Sequence, residues 1–345
     1  MAIKKNINPD RITKIKSLRK HSPAVSMLLK ELLNGNETAL SKAITVLEST
    51  RKVDIPKAEK IIERCLSQKK DSIRIGITGP PGVGKSTFIE SFGKHLLTLG
   101  KKVAVLAIDP SSSISKGSIL GDKTRMQELV KHPNVFVRPS PSGDTLGGVA
   151  RKTRETIMLC EAAGYDIILI ETVGVGQNEI AANSMVDFFL VLQLPGAGDE
   201  LQGIKRGMME MADAIAINKA DGEAKKMATI AQRAFSRALH LFPPKENGWV
   251  PKVVLCSAQE NEGIAAIWDM IKNFETLTKT NGHFEIQRKS QNKFWLLQTI
   301  DTEIKNKFYQ NTHVQTHLDT VVNAVMNNEI SPFAAAKKLL DLASK

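Results

Sequence analysis

The chain has 345 residues, 42% of them hydrophobic and 24% charged, which suits a globular protein with room for a large core. No apolar run approaches the roughly 20 residues that cross a bilayer, and the basic start MAIKKNINPDRITKIKSLRK lacks a leader's apolar centre, so a cytoplasmic protein without membrane partners is expected. The net charge of +12 gathers in residues 1–70, where 16 Lys and Arg face 7 Asp and Glu without one aromatic; that pattern does not suggest a nucleic-acid partner.

Residues 1–70 read as helices. PAVSMLLKELLNG and ETALSKAITVLEST space their apolar residues three and four apart, and Asn34-Gly35-Asn36 breaks them. From residue 72 short β-branched runs alternate with longer helical patterns: IRIGIT, KVAVLAID, DIILIET, FFLVLQL, AIAIN and KVVLCS. These runs are continuous rather than alternating, which predicts strands buried on both faces of a mostly parallel, doubly wound α/β sheet. After about residue 275 the pattern is helical again. The expected organisation is therefore a helical extension over 1–70, an α/β domain over 71–274 and a helical region over 275–345. Cys65, Cys160 and Cys256 are odd in number and far apart, and read as reduced, buried residues.

IRIGIT is followed by GPPGVGKST, Gly79 to Thr87, which fits G-x-x-x-x-G-K-[ST]. Across Gly79, Gly82, Val83 and Gly84 the backbone can curl so that its N–H groups face a phosphate, and the next helix adds its positive end. Lys85 is placed for the β- and γ-phosphates and Ser86 for Mg²⁺. A plain glycine-rich turn is disfavoured by the position between a buried strand and the helix FIESFGKHLLTLG.

Asp109 closes VAVLAID and Glu171 closes DIILIET, at the edge where doubly wound sheets bind ligands. Such acids suit Mg²⁺, directly or through water. Asp122, in SSSISKGSILGDKTRM, is either a further ligand or a turn residue. Gly174 in ETVG offers an N–H that can sense a γ-phosphate. Val175 stands where many small GTPases place a water-orienting Gln, and Gln177 lies two residues on. Slow hydrolysis alone, stimulated by dimerisation or a partner, is expected.

AIAINKAD supplies Asn218, Lys219 and Asp221 in the order N-K-x-D. A carboxylate accepts guanine N1–H and the N2 amino group together, whereas adenine leaves it unpaired, so guanine is expected. Lys219 would lay its stem along the base and Asn218 brace the loop. Ser257 and Ala258, in CSAQE, are candidates to close the base pocket through their N–H groups.

The segment PGAGDELQGIKRGMMEMAD reads as a turn and then a helix with Gly203 and Gly207 inside it. Interior glycines cost about 1 kcal/mol each. They fit either close approach of another backbone or a helix that rearranges, and tight packing is the simpler reading of their spacing. Lys205, about 40° around the helix from Leu201, borders the apolar stripe.

Taken together, GPPGVGKST, VLAIDPSS, GSILGDKTRM, RPSPSGDTLGGVARKT, ILIETVGVGQNE, GDELQGIKRG and NKAD resemble the MeaB/ArgK/MMAA-type metallochaperone GTPases over nearly the whole chain. The resemblance implies a P-loop G domain with a helical C-terminal dimerisation arm. It implies a homodimer that uses GTP, GDP and Mg²⁺ to guard and load an adenosylcobalamin-dependent acyl-CoA mutase, chiefly methylmalonyl-CoA mutase. By the same resemblance Lys85, Ser86 and Thr87 serve phosphate and Mg²⁺. Asp109, Asp122 and Glu171 are metal and switch acids, and Lys205 lies in a third switch; Lys85, Glu171 and Lys205 are the expected catalytic residues. Asp144 departs from the glycine expected in that loop. No D-x-H-x-x-G cobalamin motif is present, so cobalamin is expected only through the mutase or an adenosyltransferase. Two other readings stay open at this point: a P-loop kinase, and a non-hydrolysing nucleotide-sensing scaffold.

Overall fold

Asn36 shows how local chemistry sets the first elements. Helix α1 (Val25–Leu33) stops at Asn34, and the Asn36 side chain accepts the Ala39 N–H at 2.9 Å to open α2 (Glu37–Glu48). Helix α3 (Ile55–Leu66) carries a proline in its first turn. Just before it Asp54, 3% exposed, accepts from Ser49 Oγ and Arg51 Nε, each at 2.8 Å. These elements come from a computed structural model that describes residues 25–68, 71–108, 126–139, 146–172, 178–198 and 206–344.

The α/β part continues with β1 (Ile73–Thr78), α4 (Lys85–Thr98), β2 (Val103–Ile108), α5 (Gln127–Val130), β3 (Val135–Arg138), α6 (Leu146–Ala162), β4 (Ile167–Thr172) and α7 (Asn178–Asn183). It is completed by β5 (Phe188–Gln193), α8 (Arg206–Met211), β6 (Ala214–Ile217), α9 (Lys225–Leu239), β7 (Lys252–Leu255) and α10 (Ile264–Thr280). The seven strands form one sheet in the order β3-β2-β4-β1-β5-β6-β7, every pairing parallel. The six apolar runs named above all become strands. The seventh, β3, escapes that reading because it is only four residues long, half-buried, and paired on one side alone.

Burial explains the register. β1, β2, β4 and β5 are buried at every position, as a sheet covered on both faces requires. Beneath α4 the rings of Phe88 and Phe92 stack with centroids 5.5 Å apart, and Trp268 meets Phe92 edge-on at 6.3 Å. Helices α1–α3 pack on one another and on α6. Lys152 Nζ donates to the Glu48 carbonyl at 3.1 Å, and Arg138 pairs with the Glu48 carboxylate. At the amino end of β1, Arg74 forms a two-pronged buried ion pair with Glu161, at 2.8 and 3.0 Å.

The chain divides into two compact units, Met1–Leu277 and Thr278–Lys345. The second holds α11 (His283–Gln310), α12 (Thr312–Met326) and α13 (Pro332–Ala343) around a small core of Val314, Val321, Ala335 and Leu339. Among the described residues no helix is long and apolar enough to cross a membrane.

Candidate functional site

Because every strand runs the same way, their carboxyl ends share one edge, and the motif residues collect there. The turn from β1 into α4 passes through Gly84, whose φ is +91° and whose Cβ, if it had one, would lie 3.0 Å from Asn218 Nδ2. Glycine alone suits both the angle and the space. Lys85 opens α4, and its Nζ curls back to donate to the carbonyls of Gly79 at 2.9 Å and Pro80 at 3.3 Å. Ser86 is buried in the first turn while Thr87 is exposed. Val83 is fully buried, and Gly82 lies on the surface beside it.

Glu171, 4% exposed near the end of β4, stands in register with Ile77 of β1 and Ala107 of β2. Burial lowers the pKa of the Lys85 amine, while the charges of Glu171 and Glu179 act in the opposite direction. Glu179, 3% exposed in the first turn of α7, is an acid that the sequence reading did not single out. Its place at the start of the helix after ETVGVGQ was the available signal. Asp109, Asp122, Asp144, Gly174 and Lys205 lie outside the described residues.

The Ser86 hydroxyl and Glu171 carboxylate are hard oxygen donors at the phosphate-loop end of the sheet. With phosphate oxygens and water they make a donor set that fits Mg²⁺. Among the described residues no group of three or more His, Cys, Asp and Glu could hold a metal by itself.

The base motif meets the phosphate loop directly. Asn218, 2% exposed at the end of β6, donates through Nδ2 to the Val83 carbonyl at 2.8 Å, and its Oδ1 accepts from Ala258 N at 3.0 Å. Lys219, in the left-handed region at φ 58°, sends Nζ to the Gly82 carbonyl at 2.8 Å. Ala220 N donates to the Cys256 carbonyl at 3.0 Å, and Asp221 is half-buried beside them.

The loop from Ser257 to Gly263 is tightly tied. Ser257 and Glu262 exchange two backbone bonds of 3.0 Å, and Ser257 Oγ accepts from Glu260 N at 3.2 Å. Gly263 has φ +75°, and a Cβ there would fall 2.5 Å from the Leu255 carbonyl. The N–H groups of Ser257 and Ala258 both have partners inside the protein. In this arrangement they fix the loop rather than offer open donors.

Pro195–Gly198 forms a single tight turn, and α8 begins at Arg206. A methyl at Gly207 would meet nothing within 4 Å among the described residues, so none of them approaches closely there. Gly203, with the rest of 199–205, lies outside the described residues.

The family model described as methylmalonyl Co-A mutase-associated GTPase MeaB matches residues 40–313. A mouse protein named methylmalonic aciduria type A homolog, mitochondrial, is 43% identical over 326 residues, covering 92% of this chain and 79% of its own length. The GTPase ArgK of Escherichia coli is 42% identical over 311 residues, covering 90% of this chain and 94% of its own. The crystal structure of a protein named LAO/AO transport system kinase is 35% identical, with a TM-score of 0.75 over 93% of this chain and 98% of that one.

Proposed function

We propose, from the premise that the chain belongs to the MeaB family of methylmalonyl Co-A mutase-associated GTPases, that it hydrolyses GTP to GDP and phosphate at the carboxyl edge of its sheet and spends that cycle on a mutase. The observation that carries the reading is the 2.8 Å bond from Asn218 to Val83: it joins the N-K-x-D loop to the phosphate loop, as one nucleotide spanning both would need.

In this reading Lys85 leaves the Gly79 and Pro80 carbonyls for the β- and γ-phosphates, held also by Gly79, Gly82, Val83, Gly84 and Thr87. Asp221 accepts guanine N1–H and the amino group, with Asn218 and Lys219 bracing the base loop and Ser257 and Ala258 holding the neighbouring loop in shape through their internal bonds. Ser86 and Glu171, with Asp109 and Asp122, would hold Mg²⁺, which would supply charge neutralisation to the phosphates. Gly174 reports the γ-phosphate, and Lys205 enters the site when a partner stimulates hydrolysis, which is slow in the isolated protein.

The client is an adenosylcobalamin-dependent acyl-CoA mutase, with methylmalonyl-CoA mutase the first choice. The cobalamin sits on that mutase or on an adenosyltransferase. The protein works as a cytoplasmic homodimer through its C-terminal helices. Supporting this, Leu297, Ile300 and Ile304 on one face of α11 are all exposed.

A pull-down with a cobalamin mutase in GTP and GDP states, reading phosphate release alongside, tests the proposal. A nucleotide-dependent complex with accelerated turnover is expected; no complex with any mutase overturns it. The kinase name of one solved relative sets a second outcome. Preference for ATP, with phosphate passed to an acceptor, would replace the GTPase reading, although Asp221 suits guanine.

A further inference from the structure

Ala258 is gripped from two sides. Its N–H goes to Asn218 Oδ1 at 3.0 Å, and its carbonyl accepts the hydroxyl of Ser91, which projects from α4, the helix that opens with the phosphate loop. The two residues of that second bond are 167 positions apart. The Ala258 carbonyl and the Gln259 N–H belong to one trans peptide and point in opposite directions. A hydroxyl that holds the carbonyl against α4 therefore turns the Gln259 N–H away from that helix, and this N–H donates to no described residue. The rest of the loop cannot drift, because the Ser257–Glu262 bridge and the forced turn at Gly263 pin it from behind.

We propose that Ser91 is a positioning residue for base selection: by clamping the Ala258 carbonyl it aims the Gln259 N–H at the O6 acceptor of guanine. This rests on the guanine-nucleotide reading above and deepens it. Asp221 reads the N1 and N2 edge of the base, while the clamped peptide reads position 6, where adenine carries an amino donor instead of an acceptor. The phosphate-loop helix thus sets the angle of the base loop through a single hydroxyl.

The test compares GDP with 2-aminopurine riboside diphosphate, which lacks O6, on the full-length protein and its Ser91→Ala and Ser91→Thr variants. Ser91→Ala is expected to weaken GDP binding about five- to tenfold, the range of one lost hydrogen bond, and to leave the 2-aminopurine nucleotide unchanged. Ser91→Thr, which keeps the hydroxyl, restores GDP binding. Equal weakening of both nucleotides by Ser91→Ala, or wild-type GDP affinity in that variant, overturns the role of Ser91. Failure of the unaltered protein to bind GDP overturns the guanine reading itself, so the two failures are distinct.

Discussion

Thr172 donates its hydroxyl to that of Thr78 at 2.8 Å, both fully buried, where β4 and β1 hand over to their loops. One bond thus ties the strand that delivers Glu171 to the strand that delivers Gly79. Thr172→Val leaves the Thr78 hydroxyl buried without this partner, which costs about 1–3 kcal/mol. Replacing both threonines by valine removes the orphan, so urea unfolding should find the double variant more stable than Thr172→Val alone. A double variant less stable than that single one refutes the account.

In the proposed guanine site, Asp221 accepts two hydrogen bonds, from N1–H and from the N2 amino group. Asp221→Asn exchanges one acceptor for a donor, which matches the carbonyl that xanthine carries at position 2. GTP binding should fall by roughly ten- to a hundredfold, the equivalent of about 1–3 kcal/mol, while binding of xanthosine triphosphate rises. Competition between the two nucleotides measures this, and an unchanged preference for GTP argues against the assignment.

Lys205→Ala is expected to bind GTP like the unaltered protein and to lose the acceleration that a mutase brings. Single-turnover hydrolysis with and without the client separates binding from stimulation. Full stimulation in the variant would remove Lys205 from the mechanism.

Stability should weaken in alkali through the cysteines. Burial pushes the Cys65 thiol from its ordinary 9.0 up to about 11 and Cys256 up to about 12, and Cys160 is raised further by burial and by the charge of Glu161. A group whose folded value is raised contributes stability in full below its unfolded value and loses it as pH climbs toward the folded one. The melting temperature should therefore hold up to about pH 9 and decline from there toward 12. Cys256→Ala is expected to start lower at neutral pH and to decline less steeply; a slope equal to the unaltered protein's would count against it.

What could be read from the chain follows the range of the forces involved. GPPGVGKST and NKAD are local: glycines, a lysine and a carboxylate at fixed offsets state their chemistry within nine residues. The central strands declare themselves through unbroken apolar runs, since both their faces are covered. VFVR does not, because an edge strand of four residues needs only β2 beside it. Ala258 was legible as a base-loop residue, but Ser91 and the bond between them were hidden for another reason. Their bond depends on a helix and a loop 167 residues apart arriving at one place, and neither residue type advertises that.

The order of strands in the sheet also governs how the protein can be made. Since β1 lies between β4 and β5, it has no neighbour to pair with until synthesis has passed Thr172. The first pairing available to a growing chain is β2 with β3, at what becomes the margin. Helices α1–α3 leave the ribosome before α6, the surface they later cover, exists. Nearly half the polypeptide must emerge before β4 gives β1 its first neighbour, and β1, the first strand made, gains its second only with β5. Slow, late closure of this kind leaves apolar strand faces exposed while the chain is being made.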